Sequence, residues 1–314
     1  LGNGAFIDVQ RGFDAWMRSV YVALQEHPCE PCGNAGLRAT AEGRQLCAAA
    51  GSRRAAARIV SAAFHRQASV AVPPDDPIAA RQSPAIPLWP LPLLAGLLPA
   101  AAGLIAWQLS TRLELIPACN PFIDGCVSIS RAARHDLPNH LFRAIVLPAA
   151  VLQGLTWWLA SVWLRELALL SPVRARVLAA TGAVAAIFLV LYGTFLGTEG
   201  ELYRWFRRFG IWFYFGLTAI ALVVVVGLIA RAAQRGSRAL SRRFGRTLLA
   251  MSWLLLALGL VSVFSPLAIR DELANDRFTN VLEWWGAALI TLFFAALARA
   301  WQRTRFALRL AVVR

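Results

Sequence analysis

Six long apolar blocks constrain this chain more than any other feature, at about 87–110, 141–164, 177–197, 211–231, 247–269 and 281–301. Each is long enough for a helix to cross the ~30 Å hydrocarbon core of a bilayer. That core admits only helices or closed barrels, because every backbone polar group must find its partner inside the protein. The apolar residues run in continuous blocks and do not recur at the spacing of a one-sided surface helix. The expected fold is therefore all-α: a bundle of six transmembrane helices over residues 86–314, preceded by an extension over residues 1–85. An apolar share of 58%, above that of soluble domains, agrees with it.

A formal net charge of +15 in a soluble protein would point to nucleic acid. Here most of the arginines flank apolar blocks, so membrane topology explains them and no nucleic-acid partner is expected. The connections at 165–176 and 231–246 and the tail after 301 are rich in arginine, against Glu166 as their single acid. The opposite connections mix both signs. The positive-inside rule then puts both termini in the cytoplasm and the stretch Cys119–Arg143 outside. The basic residues are all Arg, and Ala is abundant. That is the coding bias of GC-rich DNA, and it points to a bacterial inner membrane.

The extension reads separately. Residues 5–25 space Phe6, Val9, Phe13, Trp16, Val20 and Leu24 along one helical face, an amphipathic helix for a partner or a membrane surface. His27, Cys29, Cys32 and Cys47 resemble half of a zinc site, but the second ligand pair is missing, so unpaired thiols and no metal are expected. A Pro-rich stretch at 72–88 has the composition of a linker. The first residue is Leu, so the start is processed, truncated or other than the natural one, and no signal peptide is legible in the first 25 residues.

Most of the distinctive chemistry lies between Cys119 and Arg143. In an oxidising space Cys119 and Cys126 can pair, and Asn120, Pro121, Asp124 and Gly125 between them are turn formers. The alternative is two free thiols. Ser128 or Ser130 with His135 or His140 offers the parts of a nucleophile and base. The two histidines share no helix face at their spacing, and Pro138 is expected to interrupt any helix there. The other reading is a polar loop that caps the next helix and meets headgroups.

The connection at 197–210 is the second distinctive stretch. Thr198 followed by Glu201 has the spacing of a capping box. Tyr203, Trp205 and Phe206 suit the membrane interface, and Arg204, Arg207 and Arg208 suit phosphate. A short interfacial helix that only anchors the bundle fits as well. Glu283 and Arg143 sit just inside their spans at matching depth, where they either pair or snorkel separately to the headgroups, and Gln153 lies deeper.

Several of these places together resemble one family. The run Val127-Ser128-Ile129-Ser130-Arg131 is followed by Pro138 and Phe142-Arg143. A polar second outer loop precedes Tyr214-Phe215, and Glu283-Trp284 opens the last span. In that order and placement, over residues 87–301, the chain resembles the six-span proteins that group the damage-regulated autophagy modulators with the post-GPI-attachment lipid-remodelling factors. The resemblance implies a multi-pass protein that acts on or senses lipids. It does not extend to the two histidines or to the cysteine pair, and GPI remodelling does not transfer to a bacterial chain.

The leading expectation is an accessory membrane protein without catalysis or cofactor, whose partners are membrane lipids with anionic headgroups. Arg131, Arg143, Arg204, Arg207 and Arg208 would meet phosphate, with Glu199, Glu201 and Glu283 ordering them. The first alternative is a membrane-embedded lipid hydrolase or acyltransferase using Ser128, Ser130, His135 and His140. The second is a small-solute transporter, for which ionisable groups near mid-membrane are lacking. No nucleotide-binding loop of the GxxxxGK[ST] type occurs.

Overall fold

The computed structural model describes residues 85–236 and 239–308. The amphipathic stretch at 5–25, the Cys29, Cys32 and Cys47 group and most of the Pro-rich linker lie outside the described residues. After a two-residue strand β1 (Ile86–Pro87) come α1 (Pro90–Arg112), the four-residue α2 (Ile129–Ala132), α3 (Asp136–Glu166) and α4 (Pro172–Phe195). They are followed by α5 (Glu201–Gln234), α6 (Arg242–Ala268), α7 (Glu272–Arg303) and a second short strand β2 (Ala307–Leu308). Every helix except α2 is long and apolar enough to cross a membrane, which makes six candidate spans among the described residues. The protein is an all-α membrane bundle.

Local chemistry sets where the helices begin. Ser171, Ser241 and Asp271 stand at the N-caps of α4, α6 and α7, and each side chain accepts a backbone N–H from the first turn. Pro138 does not interrupt a helix, as the sequence led us to expect. It lies in the first turn of α3, where its missing N–H would have had no intrahelical partner anyway. Thr198 is no cap either: α5 starts at Glu201 behind Gly200, whose φ of 115° suits glycine and few other residues. The aromatic and arginine stretch after 200 is therefore the opening of a 34-residue helix and not a separate one. At 1.5 Å per residue α5 runs roughly 50 Å, well beyond the hydrocarbon thickness.

The long helices neighbour one another in the cyclic order α1, α3, α4, α5, α6, α7 and back to α1. β1 and β2 close the ring: Ile86 pairs with Leu308 and Pro87 with Ala307, so both ends of the bundle meet at its arginine-rich end. Small residues let the helices approach, as is common in membrane bundles. Gly182 lies against Trp157 and Gly96 against Phe294, each too close to admit a side chain. One buried cluster, with Trp157, Trp163, Leu222, Ile229, Phe294 and Trp301, fills the arginine-rich half. A second, with Phe142, Leu189, Tyr192, Leu196, Tyr214 and Leu217, lies toward the end that carries the Cys119 loop.

Candidate functional site

The loop between α1 and α3 is built from the inside by short-range hydrogen bonds. Asn120 accepts the Phe122 N–H at 3.0 Å, and the Asp124 carboxylate accepts the Asn120 N–H at 2.9 Å. These tight turns bring Cys119 and Cys126 together, and the two are joined by a disulfide with their Cα atoms 6.6 Å apart. Gly125 follows at a φ of +61°, directly beneath the Arg277 carbonyl, where no side chain fits. The chain then enters α2 with Ser128 as its cap, the hydroxyl accepting the Arg131 N–H at 3.2 Å.

Side chains of the long helices pin this loop by its backbone. From α7, Asn280 donates to the Gly125 carbonyl at 2.8 Å, Trp284 to Val127 at 2.9 Å and Trp285 to Phe122 at 3.1 Å. From α1, Ser110 donates to the Ala132 carbonyl at 2.6 Å. Asn139 of α3 reaches both the Ala133 carbonyl, at 2.9 Å, and the Leu196 carbonyl at the end of α4, at 3.1 Å. Glu283 accepts the Ile129 and Ser130 N–H groups, so its carboxyl group stands at the opening of α2. Buried polar groups are costly unless bonded, so this set fixes the loop's register on the bundle.

Charged groups gather beside the pinned loop. Arg131 pairs with Asp276 at 2.8 Å and lies within electrostatic reach of Glu283. Glu283 in turn acts on the buried Tyr192 of α4, and the same tyrosine feels Arg134 and Arg207. Arg207 is repelled by both Arg134 and Arg204. The Arg134 and Arg207 guanidinium groups, from the loop and from the first turns of α5, thus converge near Tyr192, with Arg204 close to Arg207. Among the described residues no carboxylate forms an ion pair with any of the three. Arg207 also donates to the Thr198 and Phe195 carbonyls at the end of α4. A cleft of about 310 Å³ lies between the disulfide loop and α7, lined by Asp124, Cys126, Arg131, Asp276, Arg277 and Asn280 among others.

The residues singled out from the sequence fall into three groups. Arg207, Arg131 and Glu283 come together around α2 and Tyr192, with Arg204 close to Arg207. Arg208 lies over the Trp212 ring at 4.9 Å, while Glu199 and Glu201 are exposed and make no ion pair among the described residues. Arg143 stands apart. The Glu283–Arg143 ion pair is not formed; Glu283 turns to the Ile129 and Ser130 backbone instead. The serine and histidine residues do not assemble. The Ser128 and Ser130 hydroxyls bond each other at 3.1 Å, His140 bonds the Asp136 carbonyl at 2.8 Å, and His135 is exposed. Among the described residues no group of three His, Cys, Asp or Glu is placed to hold a metal ion.

Sequence reasoning did not single out Arg134, Tyr192, Asn280, Trp284 or Trp285 as site residues. Tyr192 carried a signal, a phenol late in an apolar block. The three α7 residues act on main-chain carbonyls, which leave no mark in the sequence. Comparison with family models, curated proteins and solved structures finds no match to this chain.

Proposed function

We propose that this membrane protein binds anionic lipid headgroups at the face carrying the disulfide loop, in an accessory lipid-handling or lipid-sensing role. In this reading that face is the outer one, and the membrane is the bacterial inner membrane. One observation carries the proposal: Arg134 and Arg207 converge near Tyr192, Arg134 and Arg204 both repel Arg207, and none of the three has a carboxylate partner among the described residues. Like charges held close together are unfavourable, and a bound phosphate would relieve them. Guanidinium groups bind phosphate through paired N–H donors.

The surroundings favour a lipid phosphate. Leu202, Trp205, Phe206 and Trp212 are exposed along the first turns of α5, the kind of apolar and aromatic surface that sits at headgroup level. The family resemblance over residues 87–301 implies lipids as well. Arg131, tied to Asp276, orders the neighbouring loop in this scheme, and Glu283 holds α2 in place.

Native mass spectrometry of the detergent-purified full chain with its co-purifying lipids tests the proposal, comparing wild type with the Arg134→Gln/Arg207→Gln double variant. An anionic lipid retained by the wild type and lost from the folded double variant is the expected result. The same lipid profile in both proteins would remove the headgroup site.

A further inference from the structure

α5 and α6 meet closely at the arginine-rich end and separate toward the other. Near the start of α6, Gly245 permits the approach: a Cβ there would stand 3.2 Å from both the Ala230 Cα and the Ala233 Cβ. Gly245, Leu248, Ser252 and Gly259 share one face of α6 by helical spacing. The first three are buried. Gly259 is exposed, with no heavy atom of the described residues within 4 Å of where its Cβ would be, although it points the same way. From Trp253 to Phe264 no α6 side chain is buried, and burial returns only at Ser265, just before the chain turns into α7. A gap therefore opens between α5 and α6 over this stretch.

Register fixes how high the gap reaches. The Arg303 guanidinium stands 5.3 Å over the Phe244 ring, which aligns the antiparallel α6 and α7. Counting from this contact, and from the turn at 269–271, sets Glu283 level with α6 between Ala257 and Phe264, within the open stretch. Gly286, one turn from Glu283, likewise has no heavy atom of the described residues within 4 Å of a Cβ position. The opening thus reaches the level of Glu283, which acts electrostatically on Tyr192 beside the arginine cluster.

Resting on the headgroup reading above, we infer that this gap is a lateral entry for an acyl chain, and that the ligand is an intact anionic glycerophospholipid drawn from the bilayer. Beyond Leu255, which packs against the buried core, Leu256 and Leu258 give the α6 wall an apolar, partly exposed surface. A chain passing there stays in an apolar environment throughout, so entry requires no desolvation of the tail. The charge on the arginines selects the headgroup, and the gap lets the chains remain in the membrane. A free phosphate would use only the first of these.

The test uses the full-length protein with two probes, dioleoyl phosphatidylglycerol in nanodiscs and water-soluble glycerol 3-phosphate in detergent. Gly259→Trp fills the gap, Gly259→Leu fills it partly, and Ala257→Trp adds the same bulk on the exposed opposite side of α6. Gly259→Trp is expected to weaken phosphatidylglycerol binding about tenfold, the equivalent of losing contact with one or two methylenes. Gly259→Leu should fall between, Ala257→Trp should match wild type, and glycerol 3-phosphate binding should be unchanged in all three. Wild-type phosphatidylglycerol binding by both Gly259 variants overturns the lateral entry, while the headgroup site survives if Arg134→Gln/Arg207→Gln still weakens both probes. If that double variant binds both probes like wild type, the headgroup reading falls and the entry falls with it.

Discussion

The two halves of the bundle are held together by different physics. Toward the arginine-rich end, Trp157, Trp163, Trp301 and Phe294 are fully buried, and rings pack on rings, Trp157 against Phe294 at 5.6 Å and Trp163 against Trp301 at 6.4 Å. The indole N–H groups of Trp157 and Trp301 find no partner there among the described residues. Toward the disulfide end, Trp284 and Trp285 each donate to a loop carbonyl, and Asn280, Ser110 and Asn139 do the same. Packing is non-directional and makes a bundle; hydrogen bonds to named carbonyls are directional and set a position. The half that bears the arginine cluster is the half in which position matters.

Truncating the packed half should have the largest effect. Trp157→Ala leaves a large cavity at the helix crossing and should cost about 3–5 kcal/mol, read as a lower thermal midpoint in detergent. A change under about 1 kcal/mol would mean that the arginine-rich half does not depend on ring packing. In the other half, Gly125→Ala forces a side chain against the Arg277 carbonyl at a φ of +61°. It should detach the loop locally, giving new protease cleavage between 113 and 128 with little change in the global midpoint. Equal loss of both would show that the halves unfold as one.

Smaller changes sharpen the contrast. Trp284→Phe keeps a ring against Phe122 but removes the bond to the Val127 carbonyl. A loss of about 1–2 kcal/mol is expected, with faster hydrogen exchange across 127–132 as its local signature. Arg131→Gln should change stability least, within about 0–1 kcal/mol, because both partners of the Arg131–Asp276 pair are about half exposed and water already screens them. A larger loss would make that pair part of the pinning set.

Much of the fold was legible because hydropathy reports directly on burial in hydrocarbon. The blocks at 211–231 and 281–301 fall inside α5 and α7. What hydropathy missed is that Glu201–Gly210 and Glu272–Asn280 continue those helices: it detects the length spent in lipid, not the length of the helix. Those polar turns hold much of the site. The disulfide was readable from two cysteines around turn formers. The clip was not, since Asn280 and Trp285 act on carbonyls more than 150 residues away in sequence. Arg134 counted in the sequence only as one charge in a topology tally, and its meeting with Arg207 required the fold.

The short pairing of Ile86 with Leu308 and Pro87 with Ala307 makes the bundle close on itself like a necklace with its clasp fastened. In such a ring, where the chain is cut is a separate matter from how it packs. A permuted gene that joins residue 308 to residue 86 through a few glycines, and opens between 196 and 200, should give the same ring of helices. Its new ends would emerge beside Arg207, within reach of the cluster, where a fluorophore could report directly on what binds there.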